Sequence, residues 1–235
     1  MILLALESSA DSSSVAILQN SRLLAYQIIE AKFGHAERII PQVHKALKQA
    51  KLDLDEIDFF VGGRGPGSFT GVRTCLAAIM GFSIATGKGY YGINGLSALG
   101  FSCYNELTND GEYNDKIVIF AISDTRRGSY YCQEFKREIK VQNNIEDLSL
   151  EHLQIKVNDL IRSGYIVKIY GPFAKRSDIF NGDEGNASKV QYFMERLNAV
   201  HIANYAAWQL QNKRQCSPAT PLYLAPPIIK RQTNN

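Results

Sequence analysis

Ten residues, Gly62-Gly63-Arg64-Gly65-Pro66-Gly67-Ser68-Phe69-Thr70-Gly71, carry five glycines between an apolar strand segment and a long apolar helix segment. In such a loop, backbone N–H groups and the positive end of the following helix can hold an anion such as a phosphate. The same glycines also suit a tight crossing, where a missing Cβ lets one backbone approach another. Residue types alone leave both readings open. The loop is not a Walker A motif, since no Gly-Lys-Ser/Thr follows, and its spacing (Gly63, Gly65, Gly67, Gly71) is not that of a dinucleotide fingerprint. Glu7, closing the first strand, could orient a metal-bound phosphate or accept hydrogen bonds from its own turn. Nucleotide or anion contacts are therefore expected from Glu7, Gly65, Gly67, Ser68, Thr70 and Gly71. Asp11 and Asp124 fall in hairpin turns, which favour Asp for local bonding. Ser68 lacks the G-x-S-x-G elbow of a hydrolase. His35, His44, His152 and His201 include no i, i+4 pair, so a helical zinc site is not indicated.

The elements that must position these residues follow from apolar periodicity. Residues 2–6, 13–18 and 23–29 read as three strands joined by Ser/Asp- and Asn-containing turns. Ile39, Ile40, Val43, Ala46, Leu47 and Ala50 mark one broad stripe of an amphipathic helix over 36–51, with Pro41 tolerable near the first turn or at a kink. A strand at 58–62 enters the glycine loop, and a helix apolar nearly all round follows over 69–85. A strand at 90–93 and a helix at 96–107 lead to a polar linker at 108–115. Beyond it come strands 117–123 and 128–135, a helix near 150–162, a strand at 166–170, a loop-like stretch at 171–188 and helical character over 189–211. Pro218, Pro221, Pro226 and Pro227 make the tail extended. The opening hairpins of the two halves, at Ile2 and Ile117, lie 115 residues apart, which suggests a duplicated α/β lobe with mixed sheets.

The chain has 235 residues, 45% hydrophobic and 21% charged, which excludes disordered, collagen-like and disulfide-dense classes. Net charge is +3, too balanced to indicate nucleic-acid binding through a basic face. Cys75, Cys103, Cys132 and Cys216 form no CxxC pair and read as reduced, buried thiols. The first residues lack a basic start and read as a strand, and the longest uncharged apolar stretch, 74–87, falls short of a bilayer span. A cytoplasmic protein with no membrane partner is expected.

Five segments, Ile2–Ala16, His35–Leu47, GPGSFTGVR at Gly65–Arg73, DTRRG at Asp124–Gly128 and PLYL at Pro221–Leu224, resemble in order the TsaB (YeaZ) family. This bacterial family serves the formation of N6-threonylcarbamoyladenosine in tRNA. The resemblance is tight in the first half and loose over 137–215. It implies the actin-like ATPase (RNase H-like) duplicated two-lobe fold, with an N-terminal lobe over 1–107, a smaller lobe over 108–215, and a tail, 216–235, docked on the first. It further implies a non-catalytic subunit that binds and orders a paralogous TsaD-like transferase, joined by a TsaE-like ATPase, with tRNA reached through the complex. ATP or ADP would then sit, if anywhere, at the partner interface, and no cofactor or metal is assigned to this chain.

In the TsaD-like paralogues a metal-binding His-x-x-x-His follows the strand after the glycine loop, and Gly95 and Leu99 stand there in this sequence. The resemblance places the partner against the helices over 36–51 and 69–85, with Ile39, Ile40, Val43, Leu47, Val72, Leu76, Ile79 and Met80 as contacts. In isolation the same patch would favour a symmetric homodimer. The family usually has Asp where Glu7 stands, and an Arg after the Tyr-Leu where Ala225 stands. Arg73, Arg126 and Arg127 are candidates for contact with tRNA. The alternative is an independent phosphotransferase or ATPase using Glu7 and the loop; a metallopeptidase is disfavoured by the histidine spacing.

Overall fold

Strand β1 (Ile2–Glu7) alternates its side chains between two buried faces, Leu4 and Leu6 toward one and Leu3 and Ala5 toward the other. Burial on both faces explains why it reads as a continuous apolar run. The computed structural model of the protein describes residues 1–30, 35–136, 144–172, 189–214 and 216–225. β1, β2 (Ser12–Gln19) and β3 (Arg22–Glu30) form an antiparallel meander. Helix α1 (His35–Ala50), with Pro41 in its interior, and a single 3₁₀ turn (Leu54–Glu56) lead to β4 (Phe59–Gly63), parallel to β1. Helix α2 (Phe69–Thr86) returns the chain to β5 (Gly89–Ile93), parallel to β4. The sheet order is β3-β2-β1-β4-β5.

Helix α3 (Gly95–Asn109) crosses to a second sheet, built by the same rule from β6 (Ile117–Asp124), β7 (Ser129–Lys136), β8 (Ile145–Ser149), α4 (Leu150–Arg162), β9 (Ile166–Tyr170) and β10 (Val190–Phe193). Its order, β8-β7-β6-β9-β10, matches the first sheet strand for strand, with antiparallel and parallel pairs in the same places. This is the duplicated actin-like architecture. Helix α5 (Ala199–Gln211) completes the described elements.

The expected helical stretch over 189–211 is corrected: its first part is strand β10, and the helix begins at Ala199 behind the N-cap Asn198. Val190 and Phe193 sit three apart, a spacing that helix and strand both allow. Most of the loop expected over 171–188 lies outside the described residues.

α1 and α2 cover one face of the first sheet. α5 covers the other with Ile202, Ala203, Ala206 and Ala207 against Leu3, Ala5, Ala16 and Leu18. So α5, although inside the 108–215 stretch assigned to the second lobe, packs on the first sheet. α3 packs against both α5 and the second sheet, while α4 covers that sheet's far face. The tail is tied to the first lobe: Gly92 N donates to Ser217 O (3.0 Å) and Leu222 N to Arg64 O (2.8 Å).

Candidate functional site

The glycine loop is built around contact with the β1–β2 turn. Ser68 N donates to Ser9 O (2.7 Å), and Ser8 Oγ donates to Gly71 O (2.9 Å). A Cβ on Gly71 would stand 1.7 Å from Ser8 O, and one on Gly67 2.5 Å from Ser9 O. These glycines are present because two backbones touch there. Ser68 also caps α2, its Oγ accepting from Gly71 N (3.2 Å). Gly65, at φ +94°, accepts at its carbonyl oxygen from Gly95 N (2.9 Å). Two N–H groups of the loop, on Ser68 and Gly71, are thus already spent inside the protein rather than turned toward an anion.

Glu7 lies beneath this loop, 1% exposed. Its Oε1 accepts from Ser9 N (2.5 Å), while Oε2 is buried with no hydrogen-bond partner. Burial raises its carboxyl above the usual range, against a smaller lowering by bonds from Ser9 and Ser8. A Cβ on Gly63 would fall 1.7 Å from Oε2, so the β4 backbone roofs the carboxyl.

Between the lobes lies a cavity of about 510 Å³. Ser9, Asp11, Gly67 and Ser68 line it from the first lobe, Asp124 to Arg127 from the second, and Leu222 to Ala225 from the tail. Of the six residues expected to contact an anion, only Gly67 and Ser68 border it. Glu7 is buried beneath the loop, Gly65 and Gly71 are buried within it, and Thr70 instead borders a groove between α1 and α2. Arg126, on the cavity lining, pairs with Asp11 across the lobes, and its backbone N donates to Asp124 Oδ1 (2.7 Å). Arg127 donates to Tyr131 Oη (2.5 Å). Among the described residues no three His, Cys, Asp or Glu converge as a metal site.

The eight expected partner contacts divide sharply. Ile39, Val43, Leu47, Val72, Leu76 and Ile79 are buried in this chain's own core against the first sheet, which corrects their assignment to a partner. Ile40 and Met80 are exposed, at 51% and 41%. Sequence reasoning missed the rest of the outward stripe on α2: Phe69, Ala77 and Ile84, the last 79% exposed. Their spacing at 69, 73, 77, 80 and 84 was available as the signal. Arg73, the single charge on α2, stacks 3.7 Å over the Phe69 ring and donates through Nε to Tyr223 Oη (2.8 Å). Tyr223 stacks on Phe69 (5.1 Å between ring centroids), so the tail extends the same surface. The uncharged stretch 74–87 lies mostly within α2, whose 18 residues are long and apolar enough by length and composition alone to cross a membrane, while its inward side packs in the core.

A family model described as TsaD, tRNA N6-adenosine threonylcarbamoyltransferase, matches residues 29–203. Among curated relatives, the tRNA threonylcarbamoyladenosine biosynthesis protein TsaB of Buchnera aphidicola from Schizaphis graminum is 28% identical over 58% of this chain and 61% of its own length. TsaB of Escherichia coli K12 is 27% identical over 59% of this chain and 56% of its own. The chain thus spans about three-fifths of the length of these relatives. TsaB of Buchnera aphidicola from Acyrthosiphon pisum, 24% identical, matches over 91% of this chain and 92% of its own. Among solved structures, YeaZ from Pseudomonas aeruginosa superposes with a TM-score of 0.73 at 21% identity, over 95% of this chain and 99% of that one. The ethanolamine utilization protein EutJ from Carboxydothermus hydrogenoformans shares the fold at a TM-score of 0.50 and 10% identity, over 87% and 90% of the two chains.

Proposed function

The chain belongs to the TsaD family and resembles its TsaB (YeaZ) relatives; from that premise we propose that it is a non-catalytic subunit of N6-threonylcarbamoyladenosine formation in tRNA. It binds and orders a TsaD-like transferase through the outward face of α2. The observation that carries this reading is the stripe Phe69, Ala77, Met80 and Ile84, joined by Ile40 and Tyr223 and bearing the single charge of Arg73. Apolar and aromatic side chains, methionine and arginine are what interface cores favour. A surface of that composition left in water would be costly on a monomer.

The lack of catalysis finds support at the two positions where the resemblance would put metal-binding histidines. A Cβ on Gly95 would lie 2.4 Å from Leu197 Cδ2, and Leu99 is buried in the core between α3 and the second sheet. Neither glycine nor leucine offers a side-chain atom that could ligate a metal at these positions. Alone, the same face would pair two copies of this chain as a homodimer. In the complex a TsaE-like ATPase joins, tRNA is reached chiefly through the transferase, and ATP or ADP, where bound, sits at the subunit interface.

The test is co-purification with the TsaD-like chain and reconstitution of the tRNA modification. Met80→Glu and Ile84→Glu, both on exposed positions, should leave stability within about 0.5 kcal/mol and abolish both readouts. Full tRNA modification without this chain would sink the proposal, as would steady nucleotide turnover by the chain alone.

A further inference from the structure

We propose that Glu7 is a positioning residue: it fixes the β1–β2 turn on which the glycine loop, and through it the docking face of α2, is seated. The inference rests on the docking reading for its functional consequence and on this chain's own contacts for its geometry. Three consecutive residues make the seat. Glu7 Oε1 accepts from Ser9 N (2.5 Å), drawing the turn back over the end of β1. Ser9 O, so oriented, accepts from Ser68 N (2.7 Å), the N–H of the residue that caps α2. Ser8 Oγ reaches Gly71 O (2.9 Å) in the first turn of α2 and lies 3.1 Å from Cys75 Sγ one turn later. The bonds of Glu7 Oε1 and Ser8 Oγ are buried, so the chain cannot exchange them for water without cost.

The glycines complete the fit. The Cβ positions of Gly63, Gly67 and Gly71 would meet Glu7 Oε2, Ser9 O and Ser8 O at 1.7, 2.5 and 1.7 Å. The loop therefore conforms to the turn, and the turn to Glu7. A carboxylate that served a ligand would have to reach the interlobe cavity, but Ser9, Ala10 and Asp11 line that cavity and Glu7 does not. Its Oε2 is sealed beneath β4 without a hydrogen-bond partner, which suits a neutral carboxyl used as an acceptor through Oε1. Phe69, the first residue of α2 and the start of its outward stripe, directly follows Ser68. Loosening the turn would thus loosen the end of α2 where Phe69, Arg73 and Tyr223 meet.

The experiment compares Glu7→Gln with Glu7→Ala, reading amide hydrogen exchange at Ser9 and Ser68 and the affinity of the whole chain for the TsaD-like partner. Glu7→Gln keeps an acceptor at the same place and needs no charge, so both amides should stay as slow as in the native chain, with affinity unchanged. In Glu7→Ala both amides should exchange about tenfold faster, the equivalent of one net hydrogen bond, with affinity falling and amides of β9 unaffected. Slow Ser9 and Ser68 amides in Glu7→Ala would overturn the proposal. So would a Glu7→Gln chain as impaired as Glu7→Ala, since that would make the negative charge the required feature. If Glu7→Ala does not fold, Glu7→Gln alone decides. A native chain that fails to bind the partner would instead sink the docking reading, and the exchange rates would still judge the role of Glu7.

Discussion

Two buried titratable side chains give this protein opposite pH responses. Burial holds the Glu7 carboxyl above its usual range, so the folded chain keeps a proton that the unfolded chain releases as pH rises through 4.5. The unfolded state then binds fewer protons, and stability falls with rising pH. Glu7→Gln removes that dependence. Its advantage over the native chain should grow as pH rises above 4.5, measured by urea midpoints, and a constant difference would contradict a carboxyl held above its usual range. His201 behaves the other way, since burial lowers its imidazole to about 4. Between that value and 6.5 the unfolded chain binds the extra proton, so stability is lost as pH falls through this window. Neutral Nδ1 accepts from Asn198 N (3.2 Å) within the cap of α5. His201→Gln keeps an acceptor for that cap and should match the native chain at pH 7 while unfolding less readily at pH 5. At this scale the sequence marked Glu7 and the glycines but left their role open. The deciding atoms, Ser8 O and Ser9 O, belong to a turn about sixty residues away from Gly67 and Gly71, and no local pattern reports them.

The glycines of α2 separate structural need from interface chemistry. Gly71→Ala would force a Cβ into Ser8 O and should cost about 1–3 kcal/mol as overpacking against backbone. Gly81, on the exposed side of the same helix, has nothing within 4 Å of its missing Cβ. Gly81→Ala should therefore raise stability by about 0.5–1 kcal/mol through helix propensity. Thermal unfolding of both variants checks the contrast, and equal effects would mean the α2 surface is packed differently. Most elements were legible because apolar residues recur with the period of a helix or strand. β8 was not, because Ile145-Glu146-Asp147-Leu148-Ser149 is a short edge strand whose charges protect it from further pairing. The two stripes of α2 were legible as an all-round apolar helix, but periodicity cannot say which stripe meets the sheet. Val72, Cys75, Leu76 and Ile79 won that place, packing around Phe60 and the aliphatic side chains of β1.

Across the whole molecule the duplication brings equivalent turns face to face. Asp11, in the β1–β2 turn, pairs with Arg126, in the β6–β7 turn, 115 positions further along. Both partners are about half exposed, and exposed pairs contribute little. The lobes are joined instead by the layer of α3 and α5. Gly100 in α3 admits the Phe135 ring of β7, which would lie 2.2 Å from a Cβ there. On the other side Phe101 meets Tyr205 and Trp208 of α5 at 5.3 and 5.1 Å between centroids. α5 in turn closes the first sheet, so the face of β1 and β2 is covered by residues that follow the entire second lobe in the chain. Neither lobe can bury its core without the other, which predicts one cooperative transition. Trp208, the single tryptophan, reports on the layer, and far-ultraviolet circular dichroism reports on both sheets. Their urea transitions should coincide. Gly100→Ala should shift both together to lower urea, because it strikes the layer that the lobes share. A Trp208 transition that stayed in place while the dichroism moved would show that the lobes unfold independently.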